Sequence, residues 1–175
     1  MRKIIAFLFA SAGILILSSM NSVQPPETPV QWISIEEAIE KLKTEKRKVF
    51  IDVYTDWCGW CKKMDKATYT NPSIIEQIEK DYYFVKFNAE RKEAIVFRDK
   101  TFSFNTQYRS HELAVGLLNG KMSYPSTVFL DENMDMLTVV PGYLEPDQLA
   151  PILKYFGENV YKEKTWDEYQ KSIAN

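Results

Sequence analysis

Hydrophobic positions along the chain repeat with two different periods, and the change between them predicts where helices and strands alternate. Ser34 begins a capping-box pattern, and apolar residues follow at helical spacing at positions 35, 38, 39 and 42. Lys41 to Lys48 would be the solvated end of that helix. Val49 to Tyr54 is apolar, β-branched and aromatic, which predicts a buried strand. Cys61 to Tyr69 contains no Gly or Pro and predicts a second helix.

The same reading continues through the second half of the chain. Ile74, Ile75 and Ile78 predict a helical turn or two after an Asn-Pro-Ser interruption, and Tyr82 to Asn88 predicts a strand. Residues 89–122 are less regular. The remaining predicted elements are a short helix with Leu113, Ala114, Leu117 and Leu118 that stops at Gly120, a hairpin of strands 127–130 and 136–140, a helix from Pro146 to Gly157, and a short final helix with Trp166, Tyr169 and Ile173.

Composition places the chain among globular proteins. It has 175 residues, of which 45% are hydrophobic and 14% aromatic, enough for one domain with a sizeable core. The formal net charge is −2, and lysines are interspersed with acidic residues as on a solvated surface. Nothing in this balance indicates a nucleic-acid-binding protein.

The N-terminus has the layout of a secretory signal peptide. Arg2 and Lys3 form a short positive region, and Ile4 to Leu17 is an uncharged, mostly apolar run that is short for a membrane span. We expect residues 1–22 to be a signal peptide; an uncleaved N-terminal anchor is the alternative, because Met20 interrupts the small residues of a cleavage site. Residues 23–33 would be a linker and residues 34–175 the folded domain.

Both cysteines lie where the predicted strand leads into the predicted helix. Cys58 and Cys61 form a C-x-x-C motif, with Cys58 close to the helix N-terminus. Unpaired N–H groups and the helix dipole favour a thiolate there, and Lys62 and Lys63 add positive charge. A C-x-x-C in this context is typical of a thioredoxin-like redox motif.

Other uses of the cysteine pair explain the sequence less well. A structural zinc site needs four ligands, and the chain offers two cysteines and one histidine, His111. Covalent haem attachment needs a His directly after the second Cys, where Lys62 stands. An inert disulfide remains as an alternative, although it would close so short a loop that it stabilises the fold poorly.

The chain resembles the thioredoxin superfamily over about residues 34–157. Members of that superfamily carry a buried Asp six residues before the first Cys, the position of Asp52, and a Lys-x-Asn pattern on the next strand, matched by Lys86 to Asn88. Their cis-proline before the hairpin is matched by Pro125, and a Gly on the second hairpin strand by Gly142. The resemblance implies an α/β thioredoxin fold: a central mixed β-sheet flanked by helices, with a helical insertion before the cis-proline and a short C-terminal helical extension.

Two features depart from thioredoxin itself. The dipeptide between the cysteines is Gly59-Trp60, where thioredoxin has Gly-Pro, and residues 89–122 are longer than the matching span of thioredoxin. With its C-G-W-C motif the chain is more similar to exported thioredoxin-like disulfide-interchange proteins. We expect the insertion, residues 89–122, to influence the choice of partner and to leave the chemistry alone.

The resemblance also implies roles for the site residues. Cys58 would be the attacking thiolate and Cys61 the buried resolving thiol. Asp52, tuned by Lys86, would assist proton transfer at Cys61; a purely structural ion pair is the alternative. His111, in the insertion, is expected to be an ordinary surface or half-buried residue and is assigned no chemistry. The substrate-binding surface would comprise Trp57, Gly59, Trp60, Tyr124, Pro125 and Gly142, with core packing as the alternative for the tryptophans and a trans surface proline for Pro125.

The predicted function is thiol–disulfide exchange with exported protein substrates through Cys58 and Cys61, in the reducing direction. Gly59 and Trp60 contribute none of the positive charge that would stabilise the thiolate of a strong oxidant. No cofactor beyond this redox-active disulfide is expected, and the partners would be protein thiols or disulfides and a membrane or exported electron donor, without metal or nucleic acid. The expected location is a bacterial periplasm, or a membrane tether through the N-terminal segment. A non-catalytic module of the same fold that binds peptides or partners is the alternative.

Overall fold

A four-stranded mixed sheet with helices on both faces forms the centre of the computed structural model, which describes residues 30–174. The predicted signal peptide and most of the predicted linker lie outside the described residues. The elements in chain order are α1 (Ile35–Leu42), β1 (Lys48–Tyr54), α2 (Gly59–Ala67), α3 (Pro72–Asp81), β2 (Tyr82–Asn88), β3 (Ile95–Phe97), β4 (Lys100–Phe102), β5 (Phe104–Asn105), β6 (Ser110–His111), α4 (Glu112–Leu117), β7 (Ser126–Leu130), β8 (Met136–Pro141), α5 (Pro146–Gly157), a 3-10 helix (Val160–Lys162) and α6 (Trp166–Ile173).

The strand order of the main sheet is β2-β1-β7-β8. β1 runs parallel to β2 and antiparallel to β7, and β7 and β8 form the predicted antiparallel hairpin. In this register Asp52 lies opposite Lys86 on one side and opposite Thr127 on the other. Because opposed residues project from the same face of a sheet, these three polar side chains form one row across its centre.

Alternate residues of β1 face different apolar clusters, because successive side chains of a strand point to opposite faces. Val49, Ile51 and Val53 belong to a cluster with residues of α1 and α4. Phe50 belongs to the other cluster, which includes residues of α2, α3 and α5. Asp52 has the parity of Phe50, so the one acidic residue of β1 points to the face that α2 covers.

Side-chain caps explain where the helices begin. Ser34 Oγ accepts a hydrogen bond from Glu37 N at 3.1 Å, as the capping pattern predicts. α2 begins at Gly59 and ends at Ala67, two residues earlier at each end than the predicted span. The helix starts earlier than predicted because its N-cap is Cys58, whose sulfur is the acceptor. Cysteine is not among the usual N-cap residues, so the sequence pattern did not indicate this start.

Lys48, predicted to be solvated, and residues 30–33, predicted to be part of a linker, both belong to the packed domain. Lys48 is the first residue of β1 and is buried, with its ammonium 2.7 Å from Glu132 Oε1. A buried lysine is tolerated there because its charge is paired. Residues 30–33 of the predicted linker also pack on the sheet: Trp32 stacks on Phe84 with ring centroids 3.7 Å apart, and Ile33 forms a parallel bridge with Val85.

The insertion, residues 89–122, contains the predicted helix as α4, followed by Gly120 at a φ of +74°. It also contains two small hairpins, β3–β4 and β5–β6, that the hydrophobic pattern did not reveal. Their strands are two or three residues long, too short to display an alternation. Within residues 30–174 no helix is both long enough and apolar enough to cross a membrane.

Candidate active site

Cys58 and Cys61 form a disulfide whose sulfur atoms are 2.08 Å apart. The pair lies between β1 and the first turn of α2, and Cys58 Sγ accepts a hydrogen bond from Cys61 N at 3.0 Å. The two residues are 4% and 2% exposed, so only a small edge of the disulfide reaches the surface. An N–H group directed at Cys58 Sγ stabilises negative charge on that sulfur once the disulfide is reduced.

The two lysines after the motif lie on the exposed surface of α2. The Lys63 ammonium is 4.5 Å from the Tyr143 ring centre and 4.9 Å from the Trp60 ring centre, and it lies 3.9 Å from Glu145 Oε1. The carboxylate of Glu145 offsets part of the charge of Lys63, so the positive charge near the cysteines is weaker than the sequence alone indicates. Solvent screens the remaining positive charge of these exposed lysines.

Asp52 is buried in the centre of the sheet, on the face that α2 covers. Lys86 Nζ lies 2.8 Å from Asp52 Oδ2, and neither carboxylate oxygen has a well-aligned hydrogen bond among the described residues. Burial raises the pKa of the Asp52 carboxyl above its ordinary value, and the positive charge of Lys86 offsets this only in part. The carboxyl is thus a group that can hold a proton more readily than an exposed Asp.

Lys86 bridges two carboxylates, of which the second was not identified from the sequence. Asp65 on α2 also contacts the Lys86 ammonium. Asp65 follows Cys61 by four residues, which places both on one side of the helix, one turn apart. The cluster of Asp52, Lys86 and Asp65 therefore lies one turn along α2 from Cys61, and this i,i+4 spacing is the signal that would have found Asp65.

Two buried hydroxyl groups adjoin the carboxylate of Asp52. Besides burial, the carboxylate of Asp52 contributes to a raised pKa of the Tyr69 hydroxyl, and Thr127 lies opposite Asp52 in the sheet; neither hydroxyl has a well-aligned hydrogen bond among the described residues. Burial raises the pKa of Tyr69 well above its ordinary value, so the phenol stays neutral. Polar groups from β1, from β7 and from the segment after α2 thus lie in the interior, on the face of the sheet that α2 covers.

Aromatic side chains border the disulfide at the surface, where the sequence predicts a substrate-binding surface. Trp57 and Trp60 are 67% and 58% exposed, so neither is a core residue. Trp57 Nε1 donates a hydrogen bond to Glu90 Oε1 at 3.1 Å, and its ring meets Tyr124 edge to face at 5.9 Å between centroids. Glu90, at the start of the insertion, was not identified from the sequence. Trp57 is therefore exposed but held in one orientation.

The Tyr124–Pro125 peptide bond is cis, as predicted. Gly142 N donates a hydrogen bond to Pro125 O at 2.8 Å. Gly142 directly follows β8 rather than lying within it, and it adopts a φ of +95°, which side chains rarely tolerate. Gly59 is the first residue of α2, with no other atom within 4 Å of the place a Cβ would take. The ring contact of Trp57 with Tyr124 and the hydrogen bond of Gly142 with Pro125 therefore join these predicted substrate-binding residues in one connected group.

His111 is fully buried, contrary to the expectation of a position near the surface. It caps α4: His111 Nδ1 accepts a hydrogen bond from Leu113 N at 3.2 Å, while Nε2 lies 3.1 Å from Glu93 O. Its backbone N also donates to Ala89 O at 2.7 Å. Burial lowers the pKa of His111 below its ordinary value. The residue was misplaced because α4 and the hairpin that enclose it are too short to be recognised as a packed unit.

Comparison with known proteins identifies sequence relatives of this chain. The chain is 29% identical over 143 residues to the thiol:disulfide interchange protein DsbD of Haemophilus ducreyi, covering 78% of this chain and 22% of that protein. The DsbD of Actinobacillus pleuropneumoniae is 30% identical over 118 residues, covering 66% of this chain and 17% of that protein. The chain thus spans about a fifth of the length of these relatives.

Solved structures show the same fold. The DsbH oxidoreductase superposes with a TM-score of 0.55 at 19% identity, covering 81% of this chain and 95% of that one. A thioredoxin from Thermus thermophilus gives a TM-score of 0.57 at 16% identity, covering 74% of this chain and 88% of that one. The family model described as a thioredoxin-like domain matches residues 35–157. The chain with the Cys58–Cys61 disulfide at the start of α2 therefore belongs to the thioredoxin-like domain family.

Proposed function

We propose that the protein is a thiol–disulfide oxidoreductase that reduces disulfides in exported proteins through Cys58 and Cys61. The observation that carries this proposal is the hydrogen bond from Cys61 N to Cys58 Sγ at the N-terminus of α2. It gives the two sulfurs different surroundings, because the N–H group favours negative charge on Cys58. An inert structural disulfide would gain nothing from this difference between its two sulfurs.

The reaction is a two-electron exchange. The Cys58 thiolate attacks one sulfur of a substrate disulfide, and the other substrate sulfur leaves as a thiolate that takes up a proton. Cys61 then loses its proton and attacks Cys58 Sγ, which restores the Cys58–Cys61 disulfide and releases the second substrate thiol. A donor dithiol, oxidised in turn, returns both electrons to the protein.

The buried cluster of Asp52, Lys86 and Asp65 supplies the proton chemistry of the second step. The raised pKa of Asp52 allows its carboxyl to accept the proton that Cys61 must lose and to pass it on later. Lys86 keeps the carboxylate form accessible by pairing with it at 2.8 Å. Tyr69, a neutral hydroxyl next to Asp52, offers a further hydrogen-bonding group for that proton.

The reducing direction follows from the charges around Cys58. Neither Gly59 nor Trp60 is charged, and Lys63 is paired with Glu145. A strong oxidant needs a stabilised thiolate, and a buried carboxylate near the pair works against one. We therefore expect a reduction potential nearer the thioredoxin value of about −270 mV than the value of about −120 mV of a strong oxidant.

The proposed setting is the bacterial periplasm, reached through the N-terminal signal or kept at the membrane by it. The two DsbD relatives are thiol:disulfide interchange proteins, which supports partners that carry thiols or disulfides. The insertion, residues 89–122, would select among those substrates. It holds Trp57 through Glu90 and is tied to the end of β1 by the hydrogen bond from Ala89 N to Tyr54 O.

Equilibration with glutathione tests the proposal. A potential above about −180 mV would exclude a reductase. Alkylation rates of the single-cysteine variants against pH test the assignment of the nucleophile: Cys58 should titrate below the free thiol value of about 8.5 and react faster than Cys61.

Trapping distinguishes the proposal from the non-catalytic binding module. Cys61→Ala should accumulate mixed disulfides with exported proteins, because the attack of Cys58 then has no resolving thiol. Cys58→Ala serves as the matched control and should accumulate far fewer. If Cys61→Ala captures nothing although Cys58 still reacts with a small alkylating agent, the binding module becomes the better explanation.

A further inference from the structure

A surface groove of about 470 Å³ lies beside Trp57, at the ends of β1 and β2. One wall, the scaffold wall, comes from Asp56 and Asn88 at the ends of β1 and β2, together with Glu90 at the start of the insertion. The other wall comes from the insertion, with Lys92 and residues of the β5–β6 hairpin that include Phe104 and Arg109. Sites at the carboxyl ends of strands are frequent ligand positions in α/β sheets, since loops from neighbouring strands converge there.

The two carboxylates of the groove are already used within the protein. Glu90 Oε1 accepts the hydrogen bond from Trp57 Nε1 at 3.1 Å. Asp56 Oδ2 accepts one from Asn88 Nδ2, also at 3.1 Å. Both acids therefore organise the scaffold wall, and the hydrogen bond of Glu90 joins the groove to the residue that precedes Cys58.

The two cations of the groove have no such use. Among residues 30–174, no carboxylate lies within ion-pair distance of Lys92 or Arg109. Two other arginines of the insertion are paired, Arg91 with Glu36 at 2.6 Å and Arg98 with Asp135 at 2.6 Å. The Lys92 ammonium is instead held over the Phe104 ring, 2.9 Å from its centre. The insertion thus presents two cations without an ion-pair partner to a groove whose other wall carries the carboxylates of Asp56 and Glu90.

The turn that carries Arg109 is built by its own side-chain hydrogen bonds. Asn105 Oδ1 accepts from Gln107 N at 2.9 Å and from Tyr108 N at 3.2 Å. Arg109 itself adopts a φ of +52° directly before β6. These hydrogen bonds fix the backbone of the turn, so the Arg109 side chain starts from a defined position, which lowers the entropic cost of binding a ligand there.

We propose that this groove is a subsite for the polypeptide substrate, in which Lys92 and Arg109 bind the carboxylate of an Asp or Glu close to the substrate's disulfide. A segment that places its cystine at Cys58 passes Trp57, and the groove is the next surface on that side. The proposal rests on the proposed function for the identity of the reacting group. It adds the charge of the neighbouring substrate residue, which the chemistry of the cysteines leaves open.

Three cyclic disulfide peptides that differ only in one residue beside the cystine, Glu, Gln or Lys, test the subsite. The reduced protein should react with the Glu peptide about three- to tenfold faster than with the Gln peptide, the range for two exposed charge contacts, and with the Lys peptide more slowly. High salt should shrink the difference. The double variant Lys92→Gln/Arg109→Gln should lose the Glu-to-Gln preference, and Lys92→Glu/Arg109→Glu should favour the Lys peptide.

Lys100→Gln is the matched control, since it removes an exposed lysine of the same insertion that does not line the groove. It should leave the Glu-to-Gln ratio unchanged. Equal rates for the Glu and Gln peptides with the unmodified protein, or a preference that survives Lys92→Gln/Arg109→Gln, would overturn the subsite.

A second measurement separates this outcome from failure of the proposed function. Reduction of bis(2-hydroxyethyl) disulfide by the unmodified protein tests the redox activity alone. Titration of the oxidised protein with the Glu peptide in which both cysteines are serine tests the groove alone. NMR signals of Arg109 should then shift more with the Glu peptide than with its Gln counterpart; equal shifts would count against the subsite whatever the redox activity.

Discussion

The interior cluster of Asp52, Lys86 and Asp65 and the surface groove with Lys92 and Arg109 are each linked to a neighbour of the Cys58–Cys61 pair, the first through α2 and the second through Trp57, yet they differ in burial and in the pairing of their charges. The interior cluster is built from β1, β2 and α2, its charges contact one another, and Asp52 is excluded from water. The groove is open to solvent, and its cations have no acidic partner among the described residues.

This difference separates two tasks. A charge in the interior acts strongly on its neighbours because water does not screen it, so it suits the tuning of a proton or a sulfur. A charge at the surface acts weakly on the disulfide but can be replaced without harm to the fold, so it suits recognition. We therefore expect changes in the interior cluster to alter stability and chemistry with every substrate, and changes in the groove to alter only the choice among substrates.

The largest effect is expected for Lys86→Met, which leaves the buried carboxylate of Asp52 without its ion-pair partner. The free energy of unfolding at pH 8 should fall by about 3 kcal/mol, the low end of the loss expected when one partner of a buried ion pair is removed. Because burial raises the pKa of Asp52, the loss should be smaller at pH 5 than at pH 8, since a carboxyl with a raised pKa is protonated more readily as pH falls. Urea unfolding at both pH values measures it.

Lys100→Met provides the control for that substitution, because it removes an exposed lysine of the insertion. It should change the free energy of unfolding by no more than about 0.5 kcal/mol. If both lysine substitutions cost the same, the interior and the surface do not differ as we describe.

The second effect concerns the chemistry. Asp52→Asn removes the proton acceptor but keeps the shape of the side chain, so release of substrate from the Cys58 mixed disulfide should slow about tenfold to a hundredfold near pH 7. Stability should not fall, since a costly buried charge is lost. Stopped-flow measurement of the two steps checks this; a slowed first step with an unchanged second step would remove Asp52 from the role proposed for it.

The third prediction tests whether the insertion has an interior of its own. The lowered pKa of His111 means that the unfolded chain binds a proton more readily than the folded one below the ordinary His value of about 6.5. Stability should therefore fall as pH drops from about 6.5, by up to about 1.4 kcal/mol per pH unit from this group. Glu112 and Glu36 work against the lowering and Arg91 adds to it.

His111→Asn is the variant that isolates this contribution, because Asn also caps helices but does not titrate in this range. Its unfolding free energy should change less between pH 7.5 and pH 5.5 than that of the unmodified protein. An identical pH dependence in the two proteins would show that His111 is not the group responsible.

The smallest effect is expected for Lys63→Gln. Since the Lys63 ammonium is exposed and lies 3.9 Å from Glu145, the pKa of the Cys58 thiol in the reduced protein should change by less than about 0.3 units. Alkylation rates against pH measure it. A rise of a full unit would mean that a surface charge does act on the sulfur, and the contrast between interior and surface would fail for this residue.

Most of the main sheet and its helices follow from local patterns. β1, the β7–β8 hairpin, α5 and α6 each display several residues of one hydrophobic period, and a capping residue or proline marks most of the boundaries. The short hairpins of the insertion do not, because two or three residues cannot show a period. His111 was misplaced for the same reason, and Lys48 because its partner Glu132 is 84 residues away.

The sequence by itself placed the C-x-x-C motif at the start of a helix, and its resemblance to the thioredoxin superfamily gave the fold and pointed to Asp52, Lys86 and Pro125. Only the tertiary structure decided which charges meet. Asp65 reaches Lys86 because β1 and β2 align in one register. The insertion folds back beside these strands, where Glu90 holds Trp57. Arg109 has no acidic partner among the described residues. Such contacts join residues far apart in the chain, and no local period records them.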